Sequence, residues 1–161
     1  MNVVVANRQR ALKINARLLK KITEALLAEL KIESAELGIN LVAAREMTLV
    51  NETFLQHEGS TDAIAFDHSN PEARSKKQQA RLHGEIFICV DEAVLQAKEF
   101  KTTWQSEIVR YIVHGILHLL GHDDLQAAAR GRMKREENRW LARLSEKFSL
   151  AQIGGASKLR G

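Results

Sequence analysis

An apolar segment that carries two histidines, residues 104–120, constrains the fold of this chain more than any other feature. His114 and His118 are four residues apart, so a helix places both imidazoles on one face, about one turn from each other. Gly121 follows the apolar segment and suits the C-terminal end of a helix. We therefore predict a helix over 104–120 that presents two ring nitrogens on a single side.

The paired histidines favour a metal site over ordinary core packing, which is the competing interpretation. Two imidazoles among apolar residues each need a polar partner, and an unmet polar group costs roughly 1–3 kcal/mol. One divalent ion, at the ~2.0–2.1 Å typical of zinc–imidazole bonds, satisfies both rings. Zinc is the expected ion on imidazole and carboxylate preference, and nickel or another transition metal is the alternative.

The turn after Gly121 can bring a third ligand to the same ion. The spacing His-x-x-x-His-x-x-Gly-x-x-ligand is similar to the metal-binding helix of metzincin proteases and puts Asp124 at the third position. Aspartate binds zinc through oxygen, so Asp124 is the predicted third ligand and His122 the alternative. If Asp124 binds, His122 is available for proton transfer, and we take His122 and Asp123 as candidate catalytic residues. Gly115 replaces the general-base glutamate of His-Glu-x-x-His proteases, so the standard peptidase mechanism is not expected.

Length and composition predict one globular domain. The 161 residues are 45% hydrophobic and 27% charged, the balance of ordinary globular proteins. No apolar run approaches the ~20 residues that span a bilayer, and the N-terminus lacks the pattern of a signal peptide, so we expect no membrane partner. The single cysteine, Cys89 in an apolar run, predicts a buried thiol and a cytoplasmic protein. Residues 1–153 are expected to form the metal-binding domain and 154–161 a disordered basic tail.

Apolar periodicity predicts an α+β (mixed α/β) fold. Strands are expected near 2–6, 36–43, 62–67 and 84–90, and helices near 15–31, 45–55, 91–99, 104–120 and 125–147. Strands that an early helix separates, followed by helices clustered late, indicate a small mixed sheet packed by helices, with the histidine-bearing helix central. The polar stretch 68–79 is expected to be a surface loop, and Asp91 the N-cap of the helix that follows it.

Basic residues exceed acidic ones by a moderate margin. The chain has 24 Lys and Arg against 20 Asp and Glu, a formal net charge of +4, which permits a polyanionic partner such as RNA. Two basic groups are candidates for phosphate contacts: Arg74, Lys76, Lys77 and Arg81 by the loop, and Arg132, Arg135, Arg139 and Arg143 on the last helix. Interleaved glutamates, Glu137 among them, make a solvated face the competing interpretation of the last helix.

Three segments of the chain match the motifs of a known protein family, in the order in which that family has them. Residues 114–121 fit His-Gly-x-Leu-His-Leu-x-Gly, and residues 84–97 follow Gly-Asp-Ile-x-Ile-Cys-x-Asp-x-Ala-x-x-Gln-Ala with Glu85 at the Asp position. Asn51, Phe54, Thr61, Asp62 and Phe66 fall on Asn-x-x-Tyr and Thr-Asp-x-x-Ser-Phe segments. With these motifs the sequence resembles the YbeY family of single-strand-specific endoribonucleases, which take part in ribosomal RNA maturation.

The resemblance implies a function as well as a fold. It implies a metal-dependent endoribonuclease, a hydrolase that acts on ribosomal RNA precursors, with RNA and the ribosome or ribosomal proteins as partners. It also implies that Asp62 lines the cleft as a candidate catalytic residue. The alternative for Thr61 and Asp62 is that they only turn the chain before a strand.

Departures from the family pattern leave other functions open. The family's third histidine ligand falls at Asp124, and His122 stands where the family usually has an aromatic residue. An arginine associated with family activity falls at Leu55, which cannot contact phosphate. A non-catalytic RNA- or ribosome-binding assembly factor with a structural metal is therefore the alternative function. A metal-dependent hydrolase of a peptide or ester is the third, and Gly115 counts against it.

Overall fold

The computed structural model describes residues 1–55, 61–69, 81–122 and 126–154. Its strands are β1 (Asn2–Asn7), β2 (Ser34–Val42), β3 (Ala63–Asp67) and β4 (Arg81–Cys89). Its α-helices are α1 (Ala16–Glu29), α2 (Ala44–Val50), α3 (Val90–Phe100), α4 (Trp104–Leu119) and α5 (Ala127–Lys147). A π-helical turn (Asn51–Leu55) follows α2, and a 3-10 turn (Leu150–Ile153) follows α5. The predicted order of elements is confirmed, with ends shifted by a few residues.

The strands form one mixed sheet in the order β1-β2-β4-β3. β1 and β4 each pair with β2 in parallel, and β3 pairs with β4 antiparallel. Alternate residues of the central strands are buried and share one face of the sheet, since side chains alternate between faces; they include Leu37, Ile39, Leu41, Leu82, Ile86 and Ile88. The predicted α+β fold with a small mixed sheet is confirmed.

Helix α4 lies at the centre of the main core. It begins after Thr103, whose side-chain oxygen accepts a hydrogen bond from the Ser106 amide at 3.1 Å, a normal N-terminal cap. It contacts α3, α5, β3 and β4. Apolar residues at helical spacing are buried along it, among them Ile108, Ile112 and Ile116. The histidine-bearing helix is therefore central, as predicted.

Gly115 lets α4 approach the sheet closely. A Cβ at this position would lie 2.7–3.0 Å from side-chain atoms of Ile86, closer than side chains pack. Ile86 is fully buried, and a close-packed interior leaves it little space to move. The position after His114 therefore faces β4, and it has no room for the glutamate that peptidases carry there.

The opposite face of the sheet is partly covered by α2. Met47 and Val50 of this helix pack with Ile64, Val42 and Cys89. Cys89 is fully buried, which confirms the prediction of a buried thiol.

Asp91 is not an N-cap, and that prediction was wrong. Helix α3 begins at Val90, so the cap position falls on Cys89, which makes no side-chain cap hydrogen bond. The Asp91 carboxylate instead accepts a hydrogen bond from the Ala44 amide at 2.6 Å. Asp91 thus ties the start of α2 to α3, a long-range role that local sequence pattern does not reveal.

The predicted surface loop and the predicted C-terminal tail lie largely outside the described residues. Residues 70–79 of the expected loop and 155–161 of the expected tail are not among them. Gly154, the first residue of the expected tail, is buried, and its carbonyl accepts a hydrogen bond from the Gln105 side chain at 2.9 Å. Within the described ranges, no helix is both long enough and apolar enough to cross a membrane.

Candidate metal centre

The structure brings His114 and His118 together on α4. Their ring centroids are 4.5 Å apart with an interplanar angle of 70°. Both side chains are partly buried. The helical spacing therefore has the predicted effect of placing two imidazoles at one point on the surface of the helix.

Glu137 of α5 orients the His114 ring. Its Oε2 atom lies 2.5 Å from His114 Nδ1, and its Oε1 atom lies 3.4 Å from Arg110 Nη1. A buried carboxylate needs such partners, because an unpaired charge away from water is very costly. When Nδ1 donates its proton to Glu137, the Nε2 lone pair of His114 remains to bind an ion. Metal-binding histidines usually have this arrangement.

Arg110 holds Glu137 from the other side. Its Nη1 also donates to Asn138 Oδ1 at 2.8 Å, and its Nε lies 3.9 Å from Glu107 Oε2. Charged groups thus form a chain from Glu107 through Arg110 and Glu137 to His114. A buried chain of this kind fixes the ring at its end, because each member limits the rotation of the next.

The interpretation of Glu137 as part of a solvated face was wrong. Glu137 is buried, as are Met133, Trp140 and Leu144 of the same helix. These residues follow one another at steps of four, three and four, so Glu137 occupies a position of the apolar stripe. A charged residue in that stripe was the sequence signal for a buried partner, and it was missed.

Helix α4 ends at the predicted glycine turn. Gly121 has φ +100°, a left-handed conformation that glycine adopts without strain. The Gly121 amide donates to the His118 carbonyl and the His122 amide to the Leu117 carbonyl, both at 3.0 Å, the pattern of a Schellman motif. The backbone of His122 is thereby fixed next to His118, and its side chain is exposed.

The predicted third ligand is in a part of the chain that the structure does not describe. Asp123 and Asp124 lie between the described ranges, which stop at His122 and resume at Gln126. Within those ranges, no group of three or more histidine, cysteine or acidic side chains converges on a common point. The choice between Asp124 and His122 stays a prediction, as do the catalytic roles of His122 and Asp123.

Asp62 lies beside the histidine pair and also shapes the chain. Its Oδ1 atom accepts hydrogen bonds from the Ala63 amide at 2.7 Å and from Thr61 Oγ1 at 3.4 Å. This is the turn-forming contact expected of a residue that precedes a strand. The same residue lines the cleft that contains His114. Asp62 therefore both turns the chain and lines the cleft, and its catalytic role stays a prediction.

A cleft of about 370 Å³ opens beside His114. Its walls come from α3, α4, α5 and the start of β3, and the side chains that line it include Asp62, Gln96, Phe100, Thr102, Tyr111 and Lys134. The Tyr111 hydroxyl is buried and has no hydrogen-bond partner among the described residues. Burial, with smaller contributions from Asp62 and Glu107, raises the pKa of Tyr111. The hydroxyl therefore stays protonated and is a donor.

The basic stripe expected on the last helix is partly engaged in ion pairs. Arg143 binds Glu29 at 2.5 Å, and Arg139 lies 3.4 Å from Glu136. The guanidinium groups of both arginines also lie over the Trp140 ring. These two cations stabilise α5 and its contact with α1. Of the loop group, Arg81 is described and lies at the start of β4.

The donors of the centre fit a divalent transition metal. Two imidazole nitrogens at one-turn spacing are the usual beginning of a zinc, nickel or iron site. The buried carboxylate on His114 Nδ1 fixes the ring through its other nitrogen. The residues present therefore match the chemistry that such an ion requires.

The sequence is similar to that of a known protein family over most of its length. The model of a family described as Endoribonuclease YbeY matches residues 4–145. An Endoribonuclease YbeY from Finegoldia magna is 31% identical over 158 residues, which cover 96% of this chain and 95% of that protein. One from Chlorobium phaeovibrioides is 32% identical over 123 residues, 76% of this chain and 78% of that protein.

The fold is shared with a solved structure. The solution structure of TM1509 from Thermotoga maritima superposes with a TM-score of 0.62 at 20% identity and covers 90% of each chain. At this identity the likeness shows the fold alone.

Proposed function

The chain belongs to the YbeY family, and from this we propose that it is a metal-dependent endoribonuclease that cleaves single-stranded RNA. The observation that carries the metal dependence is the pair His114 and His118, with Glu137 fixing the first ring. We further propose ribosomal RNA precursors as the substrate, with the ribosome or its proteins as partners in the cytoplasm.

The proposed cofactor is one divalent ion held by His114, His118 and Asp124. Zinc is favoured, and nickel or another transition metal is the alternative. When bound, such an ion supplies Lewis-acid stabilisation of the charge that develops on phosphate. The protein contributes the fixed orientation of His114, which the chain Arg110–Glu137 maintains.

Proton transfer is proposed for groups at the edge of the same cleft. Asp62 lines the cleft together with His114, so its carboxylate can accept a proton from a nucleophile that binds there. His122 and Asp123 follow the helix immediately and are the other candidates. His122 and Asp123 are assigned by their place in the sequence, directly after the histidine-bearing helix.

A non-catalytic assembly factor is the second candidate. Leu55, where the family has an arginine associated with activity, favours it, because leucine cannot hold a phosphate. This candidate binds RNA or the ribosome, and its metal only stabilises the fold.

A cleavage assay with matched variants separates the two candidates. The purified chain, with its metal content measured, is incubated with an unstructured RNA and with the same sequence as a duplex. We expect cleavage of the single strand, loss of cleavage in His118→Ala, and normal cleavage in His83→Ala, a histidine exposed on the sheet. RNA binding without cleavage by the fully loaded protein would contradict the nuclease and support the assembly factor.

A further inference from the structure

We propose that the cleft beside His114 is a base-binding subsite, which takes one unpaired nucleotide of an RNA with its base stacked on Phe100. The inference rests on the proposed function, since it names how that site holds its substrate. It assigns a role to Phe100, Lys134 and Tyr111, which the metal centre does not use.

Phe100 is an aromatic side chain left on the surface at the mouth of the cleft. It is the last residue of α3, 55% exposed, and lines the cleft. An exposed phenyl ring offers a flat surface on which any nucleic-acid base can stack. A stacked base would therefore enter the cleft from this rim.

Lys134 supplies a cation at the same rim. Its ammonium lies 5.7 Å from the centroid of the Phe100 ring. The side chain is exposed and makes no ion pair within the described residues. The Lys134 ammonium thus lies over one face of the Phe100 ring in a cation–π contact. A base that stacks on this ring takes the other face, and its phosphate binds the ammonium, the combination by which single-stranded nucleic acid is held.

Tyr111 supplies an unused donor inside the cleft. It is 5% exposed, and its hydroxyl has no partner among the described residues, a state that is unfavourable for a buried polar group. Gln96 and Thr102 line the same space. The Gln96 amide both donates and accepts, and the Thr102 hydroxyl, which donates to Glu107 Oε2 at 2.9 Å, can still accept. These groups match the mixed donors and acceptors on the edge of a base.

The charge of the inner cleft favours a base over a phosphate. Three carboxylates line it, Asp62, Glu107 and Glu137, against the cations Arg110 and Lys134, and Arg110 already pairs with Glu137. Acidic walls repel a free phosphate and tolerate an uncharged base. The phosphate is thereby left outside, at Lys134 and towards the histidine pair.

The size of the cleft explains a preference for single strands. About 370 Å³ is at the lower end of the ~300–1,000 Å³ of small-molecule sites, enough for one unpaired base. A base in a duplex must leave its stack and its pairing partner to enter, and this unstacking is unfavourable. An unpaired base enters without that cost.

Binding of a short unstructured 2′-O-methyl RNA to the full-length protein, followed by fluorescence anisotropy, tests the subsite. Phe100→Ala is expected to weaken binding about tenfold, corresponding to the loss of one stacked base. Phe100→Tyr should bind normally. Leu95→Ala is the matched control, because Leu95 is on the same helix, is 58% exposed and does not line the cleft; it should also bind normally.

A second oligonucleotide, of equal length and without bases, separates base from phosphate recognition. Wild type and Phe100→Ala should bind it equally, whereas Lys134→Gln should weaken the binding of both oligonucleotides. The subsite would be overturned if Phe100→Ala bound the 2′-O-methyl RNA normally. It would also be overturned if this variant lost as much affinity for the oligonucleotide without bases as for the RNA. This assay measures binding and not cleavage. If the wild-type protein failed to cleave RNA but its RNA binding still depended on Phe100, only the nuclease proposal would be contradicted.

Discussion

Two pairs of histidines lie edge to face among the described residues, and they differ in what surrounds them. His114 and His118 on α4 have ring centroids 4.5 Å apart. His68 and His83 at the sheet surface have centroids 5.7 Å apart and a similar angle of 69°. Each pair also has a carboxylate close to one ring, Glu137 on His114 and Glu85 on His68, and a further exposed carboxylate, that of Glu36, lies 4.0 Å from His83. Residue type and ring geometry alone therefore do not distinguish them.

Burial of the carboxylate is the difference that matters. The Glu137 side chain is 10% exposed and the Glu85 side chain 44%. An exposed ion pair contributes about 0–1 kcal/mol and leaves both side chains free to rotate. A buried carboxylate must keep its partner, so Glu137 fixes the ring of His114 where Glu85 does not fix that of His68. The two histidine pairs therefore differ in whether a buried carboxylate holds one of the rings in place.

Removal of one histidine from each pair should give the largest contrast. His118→Ala is expected to abolish stoichiometric metal, because a single remaining imidazole cannot hold the ion, whereas His83→Ala should keep it. Elemental analysis of the two purified proteins measures this. Equal metal content in both variants would show that the helix pair is not the site.

Substitution past the glycine turn tests the third ligand. Asp124→Ala should lower metal affinity more than His122→Ala, because Asp124 is the predicted third ligand and His122 the alternative. Metal titration of the two variants side by side makes the comparison. The reverse order would assign the third ligand to His122.

Replacing each carboxylate with an amide tests whether Glu137 and Glu85 hold the histidine rings that they contact. Glu137→Gln is expected to weaken metal binding about 10–100-fold, the usual effect of removing a buried partner of a metal-binding histidine. Glu85→Gln should leave the affinity unchanged, since Glu85 is exposed and belongs to the other pair. A competition titration with a chelator of known affinity gives both values, and equal affinities would remove the distinction drawn here between the pairs.

Added volume at Gly115, where α4 packs against β4, should have the smallest effect on the histidine pair of α4. Gly115→Ala is expected to destabilise the protein by roughly 1–3 kcal/mol, because the new methyl group overlaps Ile86. Gly131→Ala is the control on α5, where a Cβ meets only the end of Arg135 at 3.4 Å; it should be neutral or stabilising by about 0.5–1 kcal/mol. Urea denaturation measures both, and equal stabilities would mean that α4 does not depend on this close contact.

Periodicity in the sequence predicted the elements and the shared face of His114 and His118 for a physical reason. The repeat of apolar residues fixes which face of α4 is buried, and His114 and His118 then share the face that local spacing defines. The glycine at the end of α4 was predictable in the same way, because Gly121 is a local signal.

Contacts between distant elements were not predictable from local pattern. Glu137 meets His114 across 23 positions, and Asp91 meets Ala44 across 47. Such contacts depend on how α5 packs on α4 and how α2 packs on α3. No short stretch of the sequence carries that information. The buried glutamate in an apolar stripe was the one local sign of the first contact.

Anomalous diffraction from crystals grown with zinc tests the central claim most directly. The account predicts one ordered peak bonded to His114 Nε2 and to the His118 ring, with Glu137 still on His114 Nδ1. A peak at His68 and His83 with none at the helix pair, or no peak at either pair, would contradict it.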